Sequence, residues 1–446
     1  MMGKKYSEKG IINNIRVTEL DTLYKFMINE DNWYRLDNAA KIYPAISGPG
    51  GGSVFRIAVQ LKEDIDPQLL KDALVSILPR FPTFAVKMRR GLFWYYFEEN
   101  PMEPPVCLEK APPCRAIDTA ETNGFLFRIS YFKKRIALEV FHALTDGSGA
   151  LAFLKSLAYQ YLLLSGVKVM SDGSILENST LPSVDETEDS FKKYYNRRIK
   201  CRWIEAKAYQ LQGTRMPREY VKIVHGIIKL NDFLCLVKES KATVTEYVTA
   251  IIIYSIYSTQ LKKRECSAPV KVSVPINLRN FFPSQALRNF SSYVNVGMPF
   301  SNDEYTFEQV LDTVTRTMKL EVQPEKLIEK ISANVKAEKN IFMRIVPLII
   351  KNIVLKTAFN AYGESLFTCT LSNLGVVKIP ESMEKNIDRF EFLLGPPVLN
   401  MENCSISSYK DEMIITFTKR MHETDLERFF FRFLTEKGLD ITIETN

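Results

Sequence analysis

The chain has 446 residues, of which 46% are hydrophobic and 25% are charged, and its formal net charge at pH 7 is +7. This length and composition exclude a disordered or fibrous protein, and they suffice for two domains with sizeable cores. The amino terminus lacks the apolar core of a signal peptide, and the longest apolar runs are too short to span a bilayer. We therefore expect a cytoplasmic globular protein without a transmembrane segment.

The first half of the chain predicts a mixture of helices and strands. An amphipathic helix is predicted from Val17 to Asn32, and the glycine loop Gly48 to Gly52 follows it. This loop precedes a strand and lacks the Lys-Ser/Thr ending of a phosphate-binding loop, so we interpret it as a turn. Asp66 as N-cap and Pro67 as first residue predict a helix start. Strands are predicted near residues 53–61, 85–87, 92–97, 125–131 and 135–141.

A polar and acidic stretch then separates this half from the second. Residues 166–190 predict a linker, which leaves an N-terminal domain over 1–165 and a C-terminal domain over 191–446. In the second half, residues 245–261 are apolar nearly all round and predict a buried helix. Strands are predicted near 220–230, 270–276, 292–299, 367–371, 391–394, 404–409 and 412–417. Strands and helices mixed in two halves predict two α/β sandwich domains with a site between them.

The most informative motif lies where the predicted strand 135–141 meets a predicted helix over 149–164. The sequence there is His142-Ala-Leu-Thr-Asp146-Gly147, with the acidic residue at the helix start. Loops at the open end of a sheet commonly carry catalytic groups, and a neutral imidazole is the commonest general base near pH 7. The motif therefore makes His142 the candidate general base.

The other two histidines are weaker candidates. His225 lies in a run that predicts an ordinary strand, and His422 lies in a charged segment. We predict that both are structural or solvated. The seven cysteines include no Cys-x-x-Cys pair and have no histidine at metal-binding spacing. They predict reduced thiols, with neither a disulfide framework nor a bound metal.

Four short basic clusters raise the question of a nucleic-acid partner. They lie at residues 87–90, 133–135, 192–202 and 262–264, and the third interleaves tyrosines with cations. Acidic residues are spread through the whole chain, however, and no nucleic-acid-binding fold pattern is present. We expect solvated turns and helix faces, and no nucleic-acid partner.

The motif resembles that of the chloramphenicol-acetyltransferase-like acyltransferases, which include condensation domains and BAHD acyltransferases. The longer stretch HALTDGSGALAFL, from His142, is most similar to the alcohol acetyltransferase branch. Two further stretches extend the resemblance in the expected order, VPINLR ending at Arg279 and LSNLG around Ser372 and Asn373. Condensation domains usually carry a second histidine before the catalytic one. Phe141 occupies that position, which argues against a peptide-bond-forming domain.

The resemblance implies two chloramphenicol-acetyltransferase-like α/β sandwich domains with an active-site tunnel between them. It implies an acyl group, with acetyl expected, moving from CoA to the hydroxyl or amine of a small molecule, with His142 as general base. Acyl-CoA would be a co-substrate, with no bound cofactor and no metal. The resemblance also implies that Asp146 pairs with Arg279 from the other domain and supports the site structurally.

We also predict roles for Gly147, Ser372 and Asn373. We expect Gly147 to allow a tight strand-to-helix turn where a Cβ would clash. Ser372 or Asn373 could donate a hydrogen bond to the oxyanion or to the acceptor, and plain turn chemistry is the alternative. No Gly-x-Ser-x-Gly elbow is present, which disfavours a serine hydrolase.

Two other functions stay open at this point. The protein could be a condensation-type acyltransferase that takes its acyl group from an acyl carrier protein, which would act in trans because the chain has no carrier domain. It could also be a binding relative that has lost turnover. The presence of His142, Asp146, Gly147 and Arg279 together argues against that second alternative.

Overall fold

The computed structural model describes residues 33–47, 53–199, 205–217, 220–262, 266–301, 303–340, 344–396 and 399–446. The helix predicted from Val17 to Asn32 and the glycine loop Gly48 to Gly52 lie outside these residues. The helices are α1 (Tyr43–Ile46), α2 (Pro67–Ile77), α3 (Gly147–Leu164), α4 (Ser190–Lys193), α5 (Leu230–Glu239), α6 (Val244–Ile256), α7 (Phe307–Glu321), α8 (Pro324–Lys339), α9 (Leu348–Tyr362), α10 (Glu381–Glu384) and α11 (Asp425–Glu436).

The strands of the described residues form three sheets. They are β1 (Trp33–Arg35), β2 (Val54–Leu61), β3 (Val86–Arg90), β4 (Tyr95–Glu99), β5 (Val106–Leu108), β6 (Phe127–Phe132), β7 (Arg135–Phe141), β8 (Lys222–Lys229), β9 (Cys266–Asn277), β10 (Ser291–Phe300), β11 (Cys369–Val376), β12 (Ile387–Leu393), β13 (Glu402–Tyr409), β14 (Glu412–Lys419) and β15 (Ile441–Thr445). The sheet orders are β1-β4-β3, β12-β2-β7-β6-β5 and β10-β9-β11-β13-β14-β8-β15. This architecture confirms the mixed α/β fold.

Strand β7 and helix α3 place the motif at the end of the central strand of the five-stranded sheet. β7 lies between β2 and β6, and it is antiparallel to both. Six of its seven residues are buried, because one face packs under α2 and α3 and the other carries a network of buried ion pairs. The carboxylate of Asp146 caps α3 by accepting from the backbone N–H groups of Ser148 and Gly149, as the acidic residue at this position predicts.

The second half has its own core around the buried helix α6. Thr243 caps this helix, and Glu246 completes a capping box with it. The sequence analysis predicts the helix start at Thr245, two residues after the observed cap. The reason is that a Thr-Glu pair is also typical of a helix start. A π-helical turn over Tyr257–Leu261 continues the helix to the predicted end.

One strand of the second half joins the sheet of the first. β12 pairs with β2 in an antiparallel register, and it also packs against β13 of the large sheet. The hydroxyl groups of Ser405 and Ser407 on β13 donate to the carbonyl oxygens of Phe392 and Phe390, at 2.6 and 3.0 Å. These contacts connect the two sheets directly. The boundaries predicted at residues 165 and 190 stay a prediction.

Two features are absent from the described ranges. No helix there is long and apolar enough to cross a membrane. No group of three or more histidine, cysteine or acidic side chains there is arranged to hold a metal ion. The six cysteines within these ranges are free.

Candidate active site

The imidazole of His142 is held between two aromatic rings at the end of β7. Its ring stacks on Tyr43 of α1, with centroids 4.6 Å apart and planes inclined by 14°. Phe55 of β2 meets it edge-on at 5.1 Å. The backbone N–H of His142 donates to the carbonyl oxygen of Ser53 at 2.8 Å, which extends the β2–β7 ladder by one residue. The ring is therefore fixed in orientation by elements of the first half.

Hydrogen bonds through Asn289 of the second half to Asp37 of the first half fix the tautomer of this imidazole. Nδ1 of His142 lies 3.0 Å from Oδ1 of Asn289. The amide Nδ2 of Asn289 donates to Oδ2 of Asp37 at 3.2 Å, so the oxygen of this amide is the atom that faces the imidazole. An amide oxygen only accepts, and the hydrogen must therefore sit on Nδ1 of His142. Nε2 is left with a free lone pair, as a general base requires.

Burial shifts the pKa values of His142 and Asp37, the two titratable groups in this series of hydrogen bonds. Desolvation lowers the pKa of His142 below its ordinary value of 6.5, which keeps the imidazole neutral near pH 7. The same effect raises the pKa of Asp37 to about 6, against the opposing charge of Arg288. Asp37 is fully buried, and it also accepts from the backbone N–H of Ala40 at 2.7 Å.

Asp146 does not reach His142 by a hydrogen bond, and its carboxylate is turned to the second half of the chain. One oxygen caps α3. The other accepts from Nη1 of Arg279 at 2.7 Å and from the backbone N–H of Phe290 at 2.8 Å. Both side chains of this ion pair are largely buried. The structure therefore contains the Asp146–Arg279 pair that the family resemblance implies. This pair joins the motif to the loop that precedes β10.

The other guanidinium nitrogens of Arg279 donate hydrogen bonds to the same loop. Its Nη2 donates to the carbonyl oxygens of Ala286 and Arg288, at 2.7 and 2.6 Å, and Nε donates to Ala286 at 3.1 Å. Asn289 lies between Arg288 and Phe290, both of which the ion pair binds through backbone groups. The Asp146–Arg279 pair thus positions the residue that orients His142.

A cavity of about 270 Å³ lies in front of His142, lined by residues from both halves of the chain. Asp146, Gly147 and Ser148 line it with His142 from the first half, and Ser372, Asn373 and Leu374 line it from the second half. The remaining lining residues are Ser53, Val54, Phe55, Pro275, Asn277, Ser291, Thr370, Phe392, Leu394, Gly395 and Asn403. Apart from Asp146, whose carboxylate is bound elsewhere, the polar lining is uncharged. A lining of this kind suits an uncharged molecule, and His142 is the titratable side chain in it that no ion pair engages.

The SNLG segment lies within β11 and not in a turn, and its two polar residues differ in the hydrogen-bond donors that remain free. The amide of Asn373 accepts from the N–H of Gly375 at 2.8 Å and donates to the hydroxyl of Thr245 at 3.1 Å. The hydroxyl of Ser372 makes no hydrogen bond to the described residues, and it lines the cavity. The geometry therefore favours Ser372 over Asn373 as a donor to the reacting group.

The expected steric role of Gly147 is wrong, and the tight position is Gly149. A Cβ at residue 147 would lie 3.5 Å from Cδ1 of Leu374, an ordinary contact. A Cβ at residue 149 would overlap the carbonyl oxygen of Leu287 and the hydroxyl of Thr145. The reason is that the first turn of α3 packs against the loop that carries Asn289, and Gly149 faces that loop.

The other two histidines lie away from this cavity. His225 is on β8, where its Nδ1 lies 2.8 Å from the hydroxyl of Thr416 on the neighbouring strand. His422 is exposed, and its backbone N–H donates to Thr214. Asp37, Tyr43 and Asn289 are the residues that sequence reasoning missed. No motif marked them, since each is brought to His142 from about 90 or more positions away by the fold.

The comparisons with known proteins concern the family and the fold. A family model described as alcohol acetyltransferase matches residues 229–392. The matched segment contains Arg279, Ser372 and Asn373 and lies outside the His142 motif, so it confirms the resemblance from a separate part of the chain. No curated protein matches the chain by sequence.

Solved structures share the fold over most of the chain. Polyketide synthase associated protein 5 from Mycobacterium tuberculosis is 14% identical with a TM-score of 0.59, covering 90% of this chain and 96% of that one. Trichothecene 15-O-acetyltransferase from Fusarium sporotrichioides is 12% identical with a TM-score of 0.56, covering 91% and 94%. The first condensation domain of the calcium-dependent antibiotic synthetase is 13% identical with a TM-score of 0.57, covering 91% and 96%. The chain therefore carries an alcohol acetyltransferase match in its second half and has the two-domain fold of the chloramphenicol-acetyltransferase-like acyltransferases.

Proposed function

We propose that this protein transfers an acyl group from acyl-CoA to the hydroxyl or amine of a small molecule, with His142 as the general base. One observation carries the proposal: Nδ1 of His142 lies 3.0 Å from the amide oxygen of Asn289, which leaves Nε2 as the basic nitrogen, while the ring borders a cavity lined by both halves of the chain. The alcohol acetyltransferase match over residues 229–392 supports the same reaction class.

The proposed reaction needs no nucleophile from the protein. Nε2 of His142 takes the proton of the acceptor as its oxygen or nitrogen attacks the thioester carbonyl. The tetrahedral intermediate carries a negative oxygen, and the hydroxyl of Ser372 is the proposed donor to it. When the C–S bond breaks, Nε2–H returns its proton to the departing thiolate. The products are the acylated acceptor and free CoA, and His142 is neutral again.

The proposed donor is acetyl-CoA. A cavity of about 270 Å³ suits an acetyl group and a small acceptor better than a long acyl chain. A condensation domain of this fold has been solved with C8-CoA, which supports a CoA thioester as donor. Phe141 replaces the second histidine of condensation domains, and this argues against a donor bound to a carrier protein. Six free cysteines in the described ranges support the further proposal of a cytoplasmic location.

The test is thiol release from acetyl-CoA by the purified protein in the presence of a panel of alcohols and amines. Release should depend on the acceptor, and mass spectrometry should detect the ester or amide with the mass of one added acetyl group. Release with an acyl carrier protein thioester and none with acyl-CoA would replace the proposed donor. Absence of release from either donor with every acceptor would favour a binding relative without turnover.

A further inference from the structure

A surface of apolar side chains lies outside the cavity, on the side of the molecule formed by the β3–β4 hairpin and helix α9. Its members leave between 39% and 71% of their accessible area in solvent. We call it the α9 face, and it consists of Leu92, Phe93, Ile345, Ile349, Ile350, Ile353 and Val354. Single exposed apolar residues are ordinary on a protein surface. Seven on the hairpin tip, on α9 and in the segment just before α9 form a patch of the kind that marks an interaction site.

Hydrogen bonds connect the two elements into one surface. The backbone N–H of Leu348 donates to the carbonyl oxygen of Leu92 at 2.9 Å. The ammonium of Lys351 donates to the carbonyl oxygen of Phe93 at 2.8 Å, and it lies 3.3 Å from the ring centroid of Trp94. Asn352 donates to the hydroxyl of Tyr95 at 2.8 Å. The hairpin tip and α9 are therefore fixed side by side.

The burial of individual residues shows which side of α9 faces solvent. Leu348 and Lys351 are buried, one helical turn apart, and they hold the helix to the hairpin. Ile349 and Ile353 are four residues apart on the other side and point to solvent, as do Ile350 and Val354. The apolar side of this helix thus faces outward, opposite to the usual arrangement on a globular protein.

Cations outnumber carboxylates around the α9 face, and the nearby carboxylates are already paired, Glu98 with Lys87 and Arg89 and Glu338 with Lys41. Residues 86–97 and 344–362 contain no aspartate or glutamate and six lysines or arginines. Arg90, Arg344 and Lys356 are exposed and have no acidic partner within the described ranges. An apolar surface bordered by unpaired cations is complementary to a surface that is apolar inside and anionic at its boundary.

We propose that the α9 face binds the surface of a membrane containing anionic lipids. Aliphatic side chains would enter the boundary between headgroups and acyl chains, and the arginines and lysines would remain among the phosphates. A lipid surface fits better than a protein partner, because the face is mainly isoleucine, valine and leucine. The centres of protein interfaces are instead enriched in tyrosine, tryptophan and arginine. Since no described helix can span a bilayer, the protein would lie on the membrane.

The test is co-sedimentation with vesicles of phosphatidylcholine containing phosphatidylglycerol, compared with vesicles of phosphatidylcholine alone. The wild-type protein should bind the anionic vesicles more tightly, and added salt should weaken this binding. The double variant Ile349→Ser/Ile353→Ser should bind at least about tenfold more weakly, because two side chains no longer insert. The double variant Arg90→Gln/Lys356→Gln should lose the preference for anionic vesicles.

Leu320→Ser is the matched control, since Leu320 is as exposed on α7 as Ile353 is on α9. It should bind vesicles as the wild type does. All variants should unfold at the wild-type temperature and release thiol from acetyl-CoA in solution at the wild-type rate. Equal vesicle binding by the wild type and Ile349→Ser/Ile353→Ser would overturn the proposal. A dimer that this variant converts to monomer, with no vesicle binding by the wild type, would assign the face to a second copy of the chain.

Discussion

Removal of either member of the Asp146–Arg279 ion pair should lower both stability and activity, although the pair transfers no proton. In Asp146→Ala the guanidinium of Arg279 remains largely buried without its carboxylate, and the backbone N–H of Phe290 loses its acceptor. In Arg279→Ala the carboxylate of Asp146 remains, and three backbone N–H groups still donate to it. The first change should therefore be the more destabilising one.

The magnitudes follow from these contacts. Breaking a buried pair from one side costs about 3–5 kcal/mol, and Asp146→Ala should lie in this range because the N-cap is lost as well. Arg279→Ala should cost about 2–3 kcal/mol, since the surviving carboxylate keeps its backbone donors. The double variant should cost less than the sum of the two single changes, by about 1–3 kcal/mol.

The assay is urea unfolding of the four proteins, followed by thiol release under conditions where each protein is folded. The activity of both single variants should fall, because Asn289 lies on the loop that the pair binds. Lys419 and Glu427 offer a matched control, a buried ion pair that does not line the cavity. Lys419→Ala should lower stability and leave the kcat of the folded protein unchanged. Additive effects of Asp146→Ala and Arg279→Ala would refute this reasoning.

Three further predictions concern the geometry around His142. Asn289→Ala should lower kcat about 10-fold or more with little change in KM, since the imidazole loses the partner that fixes its tautomer; an unchanged kcat would contradict this role. The kcat/KM of the wild type should fall as pH decreases, with its midpoint below 6.5, because burial disfavours the protonated, inactive imidazole; a pH-rate profile checks this. Gly149→Ala should lower the free energy of unfolding by about 1–3 kcal/mol or more through overlap with Leu287, while Gly147→Ala should be tolerated for folding, and thermal unfolding of both variants decides the comparison.

The sequence predicts the parts of the site that depend on neighbouring residues. It does not predict the parts that depend on residues distant in the chain. The strand before His142 and the helix after it follow from periodicity and from an acidic cap, which are properties of neighbouring residues. Arg279 was found through a resemblance in its own motif. Asn289 and Asp37 carry no local signal, because an amide and a carboxylate acquire their roles only when the fold buries them beside the imidazole.

The steric role of the glycines could not be predicted for the same reason. A Cβ at Gly149 meets the Leu287 carbonyl oxygen, which is distant in sequence, whereas a Cβ at the nearby Gly147 makes only an ordinary contact with Leu374. The outward apolar side of α9 is another feature that periodicity alone leaves undecided. The pattern shows which residues share a face of a helix, and only the packed structure shows which face is exposed.

The most direct test of the proposed mechanism is the rate of thiol release by His142→Ala with acetyl-CoA and an accepted alcohol or amine. The variant should fold as the wild type does and release thiol about 100-fold or more slowly, the scale expected for a lost general base. His225→Ala and His422→Ala should release thiol at the wild-type rate, since neither residue lines the cavity. Wild-type turnover by a correctly folded His142→Ala variant would contradict the assignment of His142 as the base.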